Sequence, residues 1–254
     1  MSGKYLLNSA RSPDVSKRMV FDMKPVFRNP EAVGKNGVFY EVYRNLEIVG
    51  GKARYDITEI PQQKIGGEFA KTFGHYHRGP QSDLYEVLEG YAYFLIQRYE
   101  NNPADIKEAY IIEAMTGDKI VTPPNFGHLA VNVGEKDLVL ANWVSLVEYD
   151  YETIKKLRGG CYYVIDARLD SRLDSTRLTA RQAGEAIEFE KNPNYKSVPE
   201  LKKLKLKDVP ELGIKNGAQY PILNLKNSPE KLDWLAHPEK YQELLTIKNL
   251  YQEI

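Results

Sequence analysis

Residues 84–99 read LYEVLEGYAYFLIQRY, two β-prone runs joined at Gly90. Short runs of aromatic and branched aliphatic residues with a turn residue between them predict antiparallel strands. Seven further runs of this kind lie between Val38 and Val147, among them VFYEVYRNLEIV, ARYDITEI and HLAVNV. Nine short strands at strand-plus-turn spacing, without alternating helices, favour an all-β jelly-roll barrel.

The segments on either side of this region differ from it in composition and in predicted structure. Residues 1–36 are rich in polar and turn-forming residues, and we expect an arm with little regular structure over a barrel at residues 37–151. Residues 152–195 are expected to pack on the barrel; the polar stretch RLDSRLDSTRLTARQAG within them fits a loop flanked by either helix or hairpin. Residues 196–254 form a Lys-rich extension, in which SPEKLDWLAHPEKYQELLTIKNLYQEI predicts two short helices, one starting near Ser228. This extension should pack on the barrel or on a neighbouring subunit.

Composition narrows the range of functions. The 254 residues include 35 Lys plus Arg and 35 Asp plus Glu, so the formal net charge is zero. A strongly basic surface for nucleic acid is therefore not expected, and a small-molecule ligand is favoured. We find no signal peptide and no run of about 18 apolar residues, which predicts a soluble, cytoplasmic protein without membrane contact. The single cysteine, Cys161, cannot form an internal disulfide and is expected to be structural.

The histidines are few and unevenly placed. Against 18 tyrosines there are only 4 histidines, and three of these lie in or near the predicted barrel strands. His75 and His77 are two residues apart, so in a strand they project from the same face with Cα atoms roughly 6.5 to 7 Å apart. Asp83 follows after a turn, and His128 begins a later apolar strand. Three imidazoles and a carboxylate predict one divalent ion per subunit: Fe, Mn, Ni, Co or Zn. His237 lies in the extension and is given no role.

These motifs resemble those of a known superfamily. The order Gly74-x-His75-x-His77, then an acid and Gly90, then Pro124-x-x-x-His128, resembles the two motifs of the cupins. Within the cupins, residues 38–151 resemble the cupin-type glucose-6-phosphate isomerases of archaea and some bacteria. The shared stretches are 39–43, 72–77, 122–124 and 150–151, and residues 192–195 resemble the longer members. The resemblance implies the cupin double-stranded β-helix with an N-terminal arm and a partly helical C-terminal extension.

The resemblance also implies a role for individual residues. The implied metal ligands are His75, His77, Asp83 and His128, with Asp83 in the place of the family's glutamate. The positions that hold the substrate phosphate are Thr58, Thr72 and Gly74, and the aromatic residues that line the sugar site are Tyr40, Tyr85 and Tyr151. Asp83, Tyr85 and Tyr149 are the expected catalytic side chains. Outside the family, threonines and tyrosines in strands more often simply suit a half-buried pleated surface.

The implied activity is a metal-dependent aldose–ketose isomerisation between glucose 6-phosphate and fructose 6-phosphate, in glycolysis and gluconeogenesis. A metal ion would polarise the carbonyl, and the hydrogen would move through an enediol with a carboxylate as base or as a hydride. The family resemblance also implies a homodimer. Alternatives are an isomerase or epimerase of another hexose phosphate such as mannose 6-phosphate, a noncatalytic sugar-phosphate-binding cupin, and an Fe(II) dioxygenase.

Three departures from the family pattern bear on the site. Asp83 is one methylene shorter than glutamate, which withdraws the carboxylate by roughly 1.5 Å. Glu86 is an alternative acid three residues on, but strand alternation places Tyr85 on the face of Asp83 and Glu86 on the opposite face. Trp143 and Tyr149 stand where archaeal members have a tyrosine and a histidine. Each change removes a group able to handle protons, although Tyr149 retains a hydroxyl.

Overall fold

Seventeen strands make up most of the regular structure in the computed structural model, which describes residues 12–169 and 187–254. In chain order the strands are β1 Asp14–Met19, β2 Val38–Val49, β3 Ala53–Ile60, β4 Lys64–Ile65, β5 Glu68–Phe69, β6 Tyr76–His77, β7 Asp83–Glu89, β8 Tyr91–Tyr99, β9 Ile106–Met115, β10 Lys119–Thr122, β11 Gly127–Asn132, β12 Leu138–Ser145, β13 Tyr149–Asp150, β14 Tyr162–Asp166, β15 Ile187–Lys191, β16 Lys202–Leu206 and β17 Tyr251–Glu253. The predicted runs at 38–49, 53–60 and 91–99 match β2, β3 and β8 residue for residue.

Two large sheets face each other. The first has the order β1-β2-β3-β12-β7-β10 and the second the order β11-β8-β9-β16-β17. The pairings are antiparallel except β16 with β9, which is parallel. Side chains such as Phe94 and Ile112 from one sheet and Ile120 from the other are fully buried between them. This arrangement confirms the all-β cupin fold expected from the sequence.

The turn at Gly90 shows why the opening stretch specifies two strands. Gly90 has φ +102°, a conformation that is strained for residues with a Cβ atom. A Cβ atom there would also lie 3.1 Å from the carbonyl oxygen of Asp137. Glycine therefore allows β7 to turn directly into β8, so that the two strands enter different sheets.

The N-terminal arm contains more regular structure than its composition predicts. Residues 14–19 form β1, which pairs with β2, and short 3-10 helices follow at Phe21–Val26 and Pro30–Ala32. The expectation of little regular structure was therefore wrong here, because β2 offers a free edge whose backbone groups β1 satisfies. Met23 and Val26 are fully buried, so the arm does lie over the core. Residues 1–11 are outside the described part.

The segment after the barrel contains both of the elements that the sequence left open. A short helix spans Glu152–Lys156, and β14 and β15 form an antiparallel pair on either side of the polar loop. Residues 170–186, most of that loop, lie outside the described residues. The pair covers the outer face of the five-stranded sheet, and buried Cys161 lies in this layer.

The C-terminal extension contacts both large sheets of the same chain: β16 and β17 lengthen the five-stranded sheet, and the segment around Ile222 packs on the outer face of the six-stranded sheet. Its helical turns are 3-10 helices at Pro210–Leu212, Ile222–Asn227, Pro229–Leu232 and Pro238–Lys240, and α-helices at Asp233–Ala236 and Ile247–Leu250. No helix in the described ranges is long and apolar enough to span a membrane.

A buried polar anchor attaches the extension to the sheet. The indole Nε1 of Trp143 donates to the carbonyl of Ile222 at 2.8 Å, and the backbone N–H of Ile222 donates to Glu86 at 2.8 Å. Lys119 completes the anchor, since its Nζ lies 3.2 Å from Glu86 and donates to the carbonyl of Gly217 at 2.7 Å. Because these groups are removed from water, each depends on the others for hydrogen bonds and charge neutralisation.

We expect Lys119→Met to lower the free energy of unfolding by about 3 to 5 kcal/mol, because it leaves the buried Glu86 carboxylate without its counter-ion. The matched control is Lys202→Met, which removes an exposed pair with Glu253 at 2.9 Å and should cost less than about 1 kcal/mol. Urea denaturation followed by circular dichroism measures both. Equal losses would show that the anchor adds nothing to stability.

Candidate metal centre

Two segments from different parts of the chain bring the histidines together. His75 forms an isolated antiparallel bridge with His128, in which each backbone N–H donates to the other residue's carbonyl at 3.2 and 3.0 Å. Gly74 permits this close approach, since its φ is +80° and a Cβ atom there would lie 3.3 Å from the carbonyl oxygen of His128. His77 follows in β6, which pairs with β13.

Asp83, at the start of β7, completes the cluster from the opposite sheet. Its Oδ2 lies 3.2 Å from Nε2 of His77 and 3.1 Å from Nε2 of His128. One ligand atom each from His75, His77, Asp83 and His128 can be chosen so that all lie within 4.8 Å of one another. The shorter aspartate side chain therefore still places its carboxylate among the imidazoles.

Hydrogen bonds and burial set the protonation of this cluster. The carbonyl oxygen of Gln81 lies 3.0 Å from Nδ1 of His77. Because a carbonyl only accepts, Nδ1 carries a proton, and Nε2 is the nitrogen that can bind a metal ion. Burial, with the neighbouring imidazoles, holds the pKa of His75 well below its ordinary value. Burial alone would raise the pKa of Asp83, but the imidazoles of His77 and His128 hold it well below its usual range. Burial alone would lower the pKa of His77, but the charge of Asp83 and its hydrogen bond raise it above the ordinary value. The cluster thus sets an ionised carboxylate among imidazole nitrogens.

Buried atoms without partners test whether these residues fit a metal ion. Nε2 of His75 and Oδ1 of Asp83 are buried, and no described residue forms a hydrogen bond with either atom. Unpaired buried polar atoms are rare in folded proteins and need a partner. Several such atoms converge here in a mixed nitrogen and oxygen set, so the residues fit a divalent transition metal ion.

Beside this centre lies a cavity of about 60 Å³ between the two sheets. Its lining includes the predicted phosphate and sugar positions Tyr40, Thr58, Thr72, Gly74, Tyr85 and Tyr151. Arg44, Tyr149 and Tyr151 also line a surface cleft of about 510 Å³. These three side chains therefore form the boundary between the cavity and the outside.

The tyrosines lie around the metal ligands in distinct ways. The hydroxyl of Tyr85 is 3.0 Å from Nε2 of His128 and 3.3 Å from Oδ2 of Asp83. The ring of Tyr149 packs on His75, with centroids 4.1 Å apart. Burial, with the charge of Asp83, raises the pKa of both phenols above the ordinary value. Both side chains thus offer a protonated hydroxyl beside the centre.

Other acidic, aromatic and imidazole groups considered from sequence lie elsewhere. Glu86 is on the opposite face of β7, bound to Lys119, as the strand alternation predicted. Trp143, one of the departures from the family pattern that the sequence places at the site, projects instead from the outer face of the sheet and anchors the extension. His237 is close to Asp233 and Glu239 in the extension. None of the three contacts the metal centre.

Sequence reasoning missed a charged group at the wall of the cavity. Arg44 and Asp56 line the cavity, and Arg54 lines the cleft outside it. The signal was present, because Arg44 is four residues from Tyr40 along β2 and Asp56 is two residues from Thr58 along β3, so each pair lies on one face of its strand. Charged residues within a strand usually lie on its solvent face, so the sequence did not assign these three residues to the site.

Comparison with known proteins agrees with this geometry. A family model described as "Glucose-6-phosphate isomerase (GPI)" matches residues 17–178. The chain is 33% identical over 147 residues to a glucose-6-phosphate isomerase of Thermococcus litoralis, covering 55% of this chain and 74% of that protein. It is 32% identical over 173 residues to a glucose-6-phosphate isomerase of Pyrococcus abyssi, covering 64% of this chain and 88% of that protein.

Among solved structures, a cupin 2 conserved barrel domain protein from Rhodopseudomonas palustris is similar with a TM-score of 0.31 and 14% identity. The match covers 42% of this chain and 61% of that one. Because this TM-score is low, the strand order of the two large sheets, and not this similarity, defines the fold.

Removal of a ligand should abolish tight metal binding. We expect His75→Ala and Asp83→Ala to weaken the binding of Mn²⁺ by more than about 100-fold, since even changes to groups that only support a ligand cost 10 to 100-fold. Isothermal titration calorimetry on chelator-treated protein measures the affinity, and His237→Ala is the control that should bind as the wild type does. Unchanged affinity in Asp83→Ala would remove that residue from the ligand set.

Proposed function

The chain belongs to the glucose-6-phosphate isomerase family, and we propose that it interconverts glucose 6-phosphate and fructose 6-phosphate with a divalent metal ion. The observation that carries the proposal is the position of the buried cluster of three histidines and Asp83. The cluster lies against a cavity whose wall holds Thr58 and Thr72. A metal centre and a neutral hydroxyl-lined wall in one cavity suit a phosphorylated sugar.

The chemistry requires a hydrogen to move between C1 and C2 while carbonyl and hydroxyl exchange positions. A bound divalent ion would act there as a Lewis acid that polarises the carbonyl. The carboxylate of Asp83 would take and return the proton in an enediol route. A hydride shift would use the same centre without a base, and incorporation of solvent deuterium into the product distinguishes the two routes.

The remaining side chains hold the substrate. We infer that Thr58, Thr72 and the backbone at Gly74 bind the phosphate, and that Tyr40, Tyr85 and Tyr151 contact the sugar. The hydroxyl of Thr72 already accepts from the N–H of Ala130 at 3.0 Å, which leaves its proton available for a phosphate oxygen. Binding energy at the phosphate, remote from the reacting carbons, would orient the sugar for reaction.

We expect the purified protein, loaded with Mn²⁺ or Fe²⁺, to convert fructose 6-phosphate to glucose 6-phosphate in a coupled dehydrogenase assay. Chelation and His75→Ala should each remove the activity, whereas His237→Ala should retain it. Full activity in metal-free protein would contradict the mechanism. Faster turnover of mannose 6-phosphate in a panel of hexose phosphates would change the substrate. Metal and sugar-phosphate binding without turnover would indicate a binding protein, and oxygen uptake without isomerisation a dioxygenase.

We also propose that the protein is a homodimer and acts in the cytoplasm. Support for the dimer comes from β1, which among the described residues has a paired strand on one side only. Apolar side chains near this edge, Val15, Met19 and Val38, are 40 to 48% exposed. Light scattering should give twice the 29.1 kDa chain mass, and a monomeric mass would reject the dimer.

A further inference from the structure

We propose that Arg54, held by Asp56, is a positioning residue that fixes the hydroxyl of Tyr149 as a hydrogen-bond donor to a substrate oxygen at the reacting carbons. The inference rests on the proposed function and deepens it. It adds two charged residues to the site that the family resemblance did not supply.

Asp56 is a buried carboxylate with a complete set of donors. It is 1% exposed, and its Oδ1 accepts from the N–H of Asn45 at 2.9 Å. Its Oδ2 accepts from Nε of Arg54 at 2.9 Å and from Nη1 of Arg44 at 3.3 Å. Asn45 has φ +60° where the register of β2 shifts, so the backbone itself is shaped around this carboxylate. Asp56 therefore holds the Arg54 side chain in one place.

Arg54 in turn determines the direction of the Tyr149 hydroxyl. Its Nη2 donates to the phenolic oxygen of Tyr149 at 2.6 Å. A guanidinium can only donate, so the phenol accepts and its own proton remains to be donated elsewhere. Within residues 12–169 and 187–254, no group accepts that proton. The hydroxyl is thus a directed donor without a partner in the protein.

The position of the ring indicates which substrate atoms could accept this proton. Tyr149 packs on His75 with centroids 4.1 Å apart and lies 5.4 Å from the ring of His77. Tyr149 lines the cavity, whereas Arg54 lines only the cleft outside it. The Tyr149 hydroxyl is therefore beside the metal centre, where the reacting carbons would bind. Arg54 contacts this hydroxyl from the side of the cleft.

The charge of the network suits this role. Arg44 and Arg54 share the single carboxylate of Asp56, so this part of the wall carries one net positive charge. Negative charge develops on the sugar oxygens as the hydrogen leaves carbon. Donors already oriented towards that charge, in a site shielded from water, stabilise the transition state without further reorganisation.

A double-mutant cycle on the Mn²⁺-loaded enzyme tests the inference. We expect Tyr149→Phe to lower kcat for fructose 6-phosphate by about 100-fold, and Arg54→Met by about 10-fold, with little change in KM. Because Arg54 acts through Tyr149, Arg54→Met should change kcat less than about twofold in the Tyr149→Phe background. Arg54→Lys keeps a donor and should recover part of the loss. The charge-matched control is Arg78→Met in the same cleft, which should leave kcat unchanged.

Two kinetic outcomes would overturn the inference. An undiminished effect of Arg54→Met in the Tyr149→Phe background would show that Arg54 does not act through the phenol. A raised KM with unchanged kcat would make Arg54 a direct contact of the substrate. Thermal melting of each variant identifies losses that come from unfolding, and Arg54→Lys remains the informative variant if Arg54→Met does not fold.

A binding measurement separates this inference from the proposed function. Calorimetry with 5-phosphoarabinonate, whose carboxylate imitates an enediolate, should show weaker binding in Arg54→Met and in Tyr149→Phe, and no further loss in the double variant. A wild-type protein that binds this compound without turning over any hexose phosphate would reject the isomerase function, and the absence of further loss in the double variant would still support the coupling of Arg54 to Tyr149. Additive losses, or no binding by the wild type, would overturn the inference.

Discussion

The convergence of three imidazoles on the buried carboxylate of Asp83 is the interaction on which the rest of the site depends. A carboxylate removed from water is costly unless cations or hydrogen-bond donors surround it. Asp83 comes from the six-stranded sheet, and His128 comes from the five-stranded sheet, so neutralising the carboxylate also joins the two sheets at one end. The free Oδ1 of Asp83 and Nε2 of His75 show that the protein groups alone do not complete the cluster. A divalent cation bound by these four residues would do so.

Strand β7 links this centre to the rest of the molecule. Tyr85 lines the cavity and Asp83 lies in the metal centre beside it. Leu84 and Glu86 project to the other side, towards the C-terminal extension, which Glu86 holds together with Lys119 and Trp143. The alternation of side chains along β7 that places Asp83 in the metal centre thus also places Glu86 where the extension attaches. The extension covers a sheet face rich in buried apolar side chains, and in this way supports the strand that carries the carboxylate.

The charge distribution explains how a chain of zero net charge can suit an anionic substrate. Threonine and tyrosine hydroxyls line the cavity, and the cations Arg44 and Arg54 are held around Asp56 at its wall, near the residues that would bind a metal ion. Confining charge in this way places it where a phosphate or a developing oxyanion would lie, without a basic surface that would attract nucleic acid.

The sequence by itself predicted most of the barrel strands between Val38 and Val147, the four residues of the candidate metal centre, and the face of β7 on which each side chain lies. These follow from a two-residue period and from the grouping of three of the four histidines around the barrel. It also placed the threonines and tyrosines of the cavity, through family resemblance. Only the tertiary structure showed that β1 pairs with β2, that Trp143 belongs to the anchor of the extension, and that Arg44, Arg54 and Asp56 meet behind Tyr149. These relations join residues that are distant in sequence, such as Arg54 and Tyr149, and local periodicity carries no information about which distant side chains share a hydrogen bond.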